Sequence, residues 1–266
     1  MTRRMRSRAR VSAVALAGVL LAFPAASAAA AQNNNNVANS VRLKLKRSEF
    51  KDVQVTVGPH GTATLTGTVP LFEFKEDAER IARAVPGVKA VDNQIQAGGK
   101  PVSDAAIMKK LGPEIAFNRA GYGMVFDAIL VNVENGVVTL SGHVKSYPDR
   151  DAAVGLAATT PGVKQVIDNI QVDPPSPMDW QIRMRMMRAI YSDPPLEKYA
   201  VNPVRPIRIV VVNGHVSLYG TVDSKQDRDL VMARARTVSN VFDVKDYIQV
   251  GGQGQNEKQQ MQPPQQ

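Results

Sequence analysis

Cysteine is absent from all 266 residues. That excludes disulfides, thiolate metal ligands, a cysteine nucleophile and lipid attachment through a cysteine at the end of a leader. The folded state must therefore rest on hydrophobic cores. Aromatic residues make up only 5% of the chain, with a single tryptophan. Histidine is nearly as scarce: His60, His143 and His215 stand far apart, without metal-ligand spacing. They read as solvent-facing residues near turns, with a pH-sensitive contact or an adventitious metal site as the sharper alternative. No serine sits in a Gly-x-Ser-x-Gly elbow, and the glycine pairs of the hairpins, flanked by alternating strands, lack the lysine of a phosphate loop. These absences point away from an enzyme and leave no cofactor to expect.

A long apolar run is also missing beyond the N-terminal segment, so no transmembrane helix is expected once that segment is removed. The segment itself carries Arg3, Arg4, Arg6, Arg8 and Arg10, an apolar stretch over 11–23, and small residues around Ala-Ser-Ala. This is the form of a secretory signal peptide, expected over 1–31, with an uncleaved anchor as the alternative. Five of the nine net positive charges belong to it. What is left is too mildly basic, and too poor in aromatics between its cations, for a nucleic-acid partner.

What the chain does have is a repeat. Gly61-Thr-Ala-Thr-Leu-Thr-Gly67-Thr-Val69 returns as Gly136-Val-Val-Thr-Leu-Ser-Gly142-His-Val144 and as Gly214-His-Val-Ser-Leu-Tyr-Gly220-Thr-Val222. The second glycines are 75 and 78 residues apart, and endings in Ile-Gln at 95–96, 170–171 and 248–249 keep the same offsets. Self-similarity at a fixed period means a tandem array. The expected organisation is three modules at 36–98, 103–173 and 178–251, a proline-rich insertion at 192–206, and a disordered Gln/Pro-rich tail at 252–266.

Within each module Asn135-Gly136, Asn213-Gly214 or His60-Gly61 supplies a tight hairpin turn. The strand that follows alternates with period two, its apolar face including Gly67, Gly142 or Gly220. A glycine there marks either a helix crossing the sheet or a β-bulge. A helix follows, stopped by Pro86-Gly87 and Pro161-Gly162, with Asn240 filling the glycine position in the third copy. A closing strand then pairs in parallel through the crossover. Asp104 and Asp179 read as N-caps of leading helices over 104–111 and 179–191. The first copy's 36–47 reads as a helix from Val37, Val41 and Leu45, although 41–45 also alternates like a strand. Each module is thus αββαβ, a three-stranded mixed sheet with two helices on one face, and the fold class is α+β. Modules this small are marginal alone and should pack on one another or on a partner.

The hairpin Gly-x-Val-x-Leu-x-Gly-x-Val, the helix after it and the Pro-Gly-Val-x-x-Val…Asn-x-Ile ending resemble the BON (bacterial OsmY and nodulation) domain family. Residues 136–171 carry the pattern most fully. The third copy and its proline-rich insert, with Ala189-Ile-Tyr-Ser-Asp-Pro, resemble multi-BON proteins of the periplasm. Departures are Ala63 for the usual valine, His60 before the first turn glycine, and the missing Pro-Gly in the third copy. The resemblance implies a non-catalytic, exported protein that associates with phospholipid, maintains the envelope under osmotic or other stress, or protects client proteins.

The residues offer one surface for such work. Over 179–191, Trp180, Met184 and Met187 interleave with Arg183, Arg185 and Arg188. A basic amphipathic helix with an aromatic at one end suits an interfacial membrane contact. The plainer reading makes the apolar residues core and the arginines a solvated face. Arg42, Lys44, Lys46 and Arg47 form a weaker cluster of the same kind. Carboxylates Asp149, Asp151, Asp227 and Asp229 complement helix dipoles rather than serve acid–base chemistry. Expected partners are anionic phospholipid or envelope proteins, the latter through apolar edges such as 207–212 and a flexible insert. Homo-oligomers through the module faces are compatible with both.

Overall fold

A computed structural model describes residues 25–117, 123–201 and 206–251. The leader up to residue 24 and the tail 252–266 lie outside the described residues. The first module contains α1 (Ala25–Lys44), a 3-10 turn (Ser48–Phe50), β1 (Val53–Val57), β2 (Thr62–Gly67), α2 (Phe72–Arg83) and β3 (Ala90–Asn93). The second contains α3 (Asp104–Phe117), the short α4 (Gly123–Phe126), β4 (Ala128–Glu134), β5 (Val137–Val144), α5 (Tyr147–Ala158) and β6 (Gln165–Val172). The third contains α6 (Pro177–Tyr191), α7 (Pro194–Val201), β7 (Arg208–Val212), β8 (His215–Val222), α8 (Lys225–Ala235) and β9 (Asp243–Val250).

Each sheet places its second strand in the centre, antiparallel to the hairpin partner and parallel to the closing strand. The register follows the alternation: Val55 pairs with Leu65, Val131 with Leu140, and Val211 with Val216. These residues face the helices, and the three cores form around them.

The second glycine of the repeat has a different cause from a helix crossing. A side chain on Gly67 would meet the Asp52 carbonyl oxygen at 2.0 Å, and one on Gly142 would meet that of Ala128 at 2.1 Å. The close neighbour is the backbone that enters the hairpin's first strand, and φ is +111° and +107° at the two positions. The glycine therefore kinks the central strand under its own partner.

Three further expectations change. The α3 helix runs through Gly112-Pro113 to Phe117 instead of stopping at Leu111. Ile107, Leu111 and Ile115 are all buried at helical spacing, and their burial outweighs the roughly 3 kcal/mol an internal proline costs. The 36–47 segment is helical, but α1 starts at Ala25 and ends at Lys44. The insertion is not a loose loop either over its described residues 192–201. It contains α7, whose Leu196 and Tyr199 sit inside the third core. Pro194 and Pro195 fall in the first turn of that helix, where a missing N–H breaks no bond.

The modules share their cores at both joints. Phe72 of α2 packs in the second module's cluster, and Phe126, just before β4, packs in the third. Arg208 of β7 donates to the Asp127 carbonyl at 2.8 Å. Among the described residues, no helix is long and apolar enough to cross a membrane.

Candidate functional site

The α6 helix is set in place at its first turn. Ser176 precedes it in an extended conformation and accepts from the Asp179 N–H at 3.1 Å, with Pro177 just inside the helix. Serine, not aspartate, is thus the N-cap, and in the second module Ser103 accepts from the Ala106 N–H. The aspartates expected as caps do something else. Asp179 accepts from the N–H groups of Asn213 and Gly214 at 2.9 and 2.8 Å, and Asp104 accepts from those of Asn135 and Gly136, both at 2.8 Å. A carboxylate is the natural partner for two convergent N–H groups of a tight turn. Each latch ties the leading helix to the hairpin tip of its own module. The first module has no aspartate in α1, and there Gly61 N–H donates to Gly58 O at 3.0 Å.

Past the latch, α6 divides its residues between two faces. Ile182, Met186 and Ile190 enter the core. Met184 and Met187 are half-buried and pack against that core, which leaves Trp180, Arg185 and Arg188 on the exposed side. Trp180 is 40% exposed and its ring meets Phe126 edge-on at 5.5 Å. Met178, one residue before the latch, is 63% exposed. Arg185 and Arg188 are exposed, and Arg185 reaches the Gln181 side-chain oxygen at 3.4 Å.

Arg183 does not join them. It is buried, and its guanidinium donates to the Asp173 carboxylate at 2.9 Å and to the Val211 carbonyl at 2.6 Å. The side chain sits on the helix flank facing the edge strand β7, so a lipid headgroup would have to displace both partners. As a member of the basic surface it is corrected to a structural anchor. Arg42 makes the same connection in the first module, donating to Val55 O at 2.5 Å while also holding Asn39.

Asp173 also pairs with His143, whose Nδ1 lies 2.8 Å from it. The three side chains form a junction between the second and third modules, with Asp173 and Arg183 buried and His143 half-buried. Sequence reasoning placed His143 near a turn and gave Asp173, the last residue of the second module, no role. Strand parity carries the missing signal, because His143 pairs with Gln171 and Asp173 lies two residues further on the same face. His215 sits 3.1 Å from Asp243, and His60 is exposed.

One more residue belongs to this end of the molecule. The residue before each closing strand donates its N–H to the turn glycine: Lys89 to Gly61, Lys164 to Gly136 and Phe242 to Gly214. In the third module that residue is aromatic and 78% exposed, with its ring 5.4 Å from His215. The latch brings the start of α6 to the same turn. Met178, Trp180 and Phe242 therefore mark one apolar end of the module, while Arg185 and Arg188 lie further along α6. No cluster of acidic and histidine side chains suited to a metal ion is present among the described residues.

The architecture defines a class: tandem αββαβ modules, the second and third latched through their hairpins. The BON domain model matches residues 33–99, 103–174 and 196–252, and the chain belongs to the BON domain family. The third match begins at 196, so α6 lies outside it while packing in that module's core. Osmotically-inducible protein Y of Escherichia coli is 26% identical over 162 residues, which cover 58% of this chain and 76% of that protein. Outer membrane lipoprotein DolP of Haemophilus influenzae is 30% identical over 138 residues, covering 48% of this chain and 70% of that protein. Among solved structures, the Chlamydia trachomatis type III secretion protein CdsD aligns over 81% of this chain and 92% of its own at 17% identity. Its TM-score of 0.24 carries no functional argument.

Proposed function

We propose that this is a non-catalytic, exported envelope protein that rests against anionic phospholipid through the exposed side of α6, and that it serves envelope maintenance under osmotic or other stress. The observation that carries the reading is the composition of that side. Trp180 and Met178 are exposed beside the hairpin tip, and Arg185 and Arg188 are exposed further along the same helix. Tryptophan prefers the water–lipid boundary, and guanidinium groups bind lipid phosphates in bidentate fashion. An osmotically inducible protein and an outer membrane lipoprotein among the relatives support the envelope setting.

The alternative, capture of client polypeptides on an apolar edge at 207–212, is less favoured. Ile207, Ile209, Val210 and Val211 are all buried.

Co-sedimentation with anionic and neutral vesicles at low and high salt tests the membrane reading. Binding is expected to anionic vesicles only and to fall with salt. Each arginine near a charged surface contributes about 1 kcal/mol. The double variant Arg185→Ala/Arg188→Ala should therefore bind on the order of thirtyfold more weakly. Unchanged binding by that variant would remove α6 as the contact.

A further inference from the structure

The chain contains two Asn-Gly pairs, and each is the tip of a latched hairpin: Asn135-Gly136 under Asp104 and Asn213-Gly214 under Asp179. The remaining tip, His60-Gly61, has no asparagine, and its glycine N–H goes to the Gly58 carbonyl. Both asparagines are exposed, whereas the glycines that follow them are buried. An asparagine before glycine is prone to modify itself, because glycine has no side chain to keep its nitrogen from the neighbouring amide. The deprotonated glycine nitrogen attacks Cγ of the asparagine. An N–Cγ bond forms, the Cγ–Nδ2 bond breaks, and Nδ2 leaves as ammonia with the proton that the nitrogen gave up. Water then opens the cyclic imide at either carbonyl and leaves aspartate or isoaspartate.

The latch opposes the first step in two ways. Oδ1 of Asp179 accepts from the Gly214 N–H at 2.8 Å, and Oδ1 of Asp104 accepts from the Gly136 N–H at 2.8 Å. A carboxylate so close disfavours the anion that the attack requires. The asparagine N–H is held by the other carboxylate oxygen, and φ is 53° at Asn135 and 51° at Asn213. With both N–H groups of the turn fixed, the peptide between them cannot rotate to bring its nitrogen onto Cγ. The two latches are unequal, however. Asp179 is buried and Asp104 is half-buried, so water competes more readily at the second module's turn. There Lys164 Nζ also donates to the Asn135 carbonyl at 3.0 Å. A cation on that carbonyl favours the deprotonated form of the same peptide.

We infer that Asn135 and Asn213 are latent sites of deamidation and isoaspartate formation, held closed by Asp104 and Asp179. Conversion is one-way, and it unlatches the module. Isoaspartate adds a methylene to the backbone of a tight two-residue turn, whose geometry fixes the register of the hairpin. Either product puts a new carboxylate on the residue whose N–H the latch held, and like charges oppose relatching. In the third module the Phe242 N–H bonds to the Gly214 carbonyl, so conversion at Asn213 also loosens the apolar end. Asn135, under the weaker latch, converts before Asn213.

The test incubates the full chain and its Asp104→Ala and Asp179→Ala variants in mildly alkaline buffer, with and without denaturing urea. Peptide mass mapping and an isoaspartate methyltransferase assay then give the extent of conversion at each asparagine. In the folded, unaltered chain both sites should convert at least tenfold more slowly than in urea, with Asn135 ahead of Asn213. Asp179→Ala should speed conversion at Asn213 at least tenfold and leave Asn135 unchanged, and Asp104→Ala should do the reverse. That selectivity separates unlatching from general unfolding, which speeds both sites. If a variant unfolds, the comparison of the folded with the urea-unfolded unaltered chain decides alone. Equal rates in those two states overturn the inference. So does slower conversion in the variants, which would make the carboxylate a base for the reaction and not its guard.

Discussion

The hairpin ends of the second and third modules share a backbone and differ in surface. In both, a carboxylate of the leading helix accepts from two turn N–H groups, and the residue before the last strand bonds the turn glycine. Over that glycine the second module lays Lys164, whose Nζ donates to Asn135 O at 3.0 Å. The third lays Phe242. Beside the latch the second module has Ser103 and Ala105, where the third has Met178 and Trp180. One end is polar and charged, the other apolar and aromatic. The repeat fixes the hydrogen bonds, and the positions it leaves free decide what each end can touch.

The strongest way to break the comparison is at the junction between these two modules. Arg183→Ala leaves the Asp173 carboxylate buried with only His143 beside it. Removing one partner of a buried pair costs about 3–5 kcal/mol. Arg42→Ala removes the matching bond in the first module, where the arginine is exposed, and should cost about 1 kcal/mol. Urea unfolding of the two variants gives both numbers, and equal losses would mean that Arg183 is not the anchor its burial implies. Arg183→Met/Asp173→Asn, which removes both charges, should recover at least half of the Arg183→Ala loss.

Next come the latches. Hydrogen bonds to a charged acceptor contribute about 1.5–3 kcal/mol each. Asp179 is buried and Asp104 is only half-buried, so water replaces the lost acceptor more readily at the second module's turn. Asp179→Ala should cost about 3 kcal/mol and Asp104→Ala about half as much. Amide hydrogen exchange should show loss of protection at Asn213 and Gly214 in the first variant, and at Asn135 and Gly136 in the second. Protection retained at either pair would mean that its turn holds without the carboxylate.

Much of this was legible before any coordinates, because period-two strands and paired turn residues are local signals. The three sheets, their parallel closure and the left-handed Asn240, with φ of 65°, follow from them. What escaped depended on residues far apart. Arg183 reads as one of three equivalent arginines until Asp173 and Val211 are brought to it from another module and another strand. The prolines of 192–206 read as a loop because breakers count as stops wherever they fall. Pro194-Pro195 opens a helix instead, and Leu196 and Tyr199, three residues apart, were the core signal. Ile115 likewise continued the stripe of Ile107 and Leu111 past Gly112-Pro113. In both places apolar spacing was the better guide. Phe242 was visible as a departure from Lys89 and Lys164, but only an aligned turn shows that the three positions are equivalent.

That equivalence gives the sharpest form of the comparison and the smallest change in stability. Phe242→Lys and Lys164→Phe exchange the two side chains between like backbones. Both positions are at the surface, and such substitutions usually stay within about 0.5 kcal/mol. The fold is therefore expected to tolerate either one, with a thermal midpoint within a few degrees of the unaltered protein. Vesicle affinity should move further. Covering an exposed phenylalanine with lipid contributes about 1.5–3 kcal/mol at full burial, so partial insertion in the unaltered protein corresponds to about a tenfold gain that Phe242→Lys removes, once the roughly 1 kcal/mol added by the new cation is subtracted using its salt dependence. Lys164→Phe lacks a tryptophan and a methionine beside it and should restore little of that gain in the Phe242→Lys background. Full restoration would show that an aromatic tip suffices on any module, and that Met178 and Trp180 add nothing at the third.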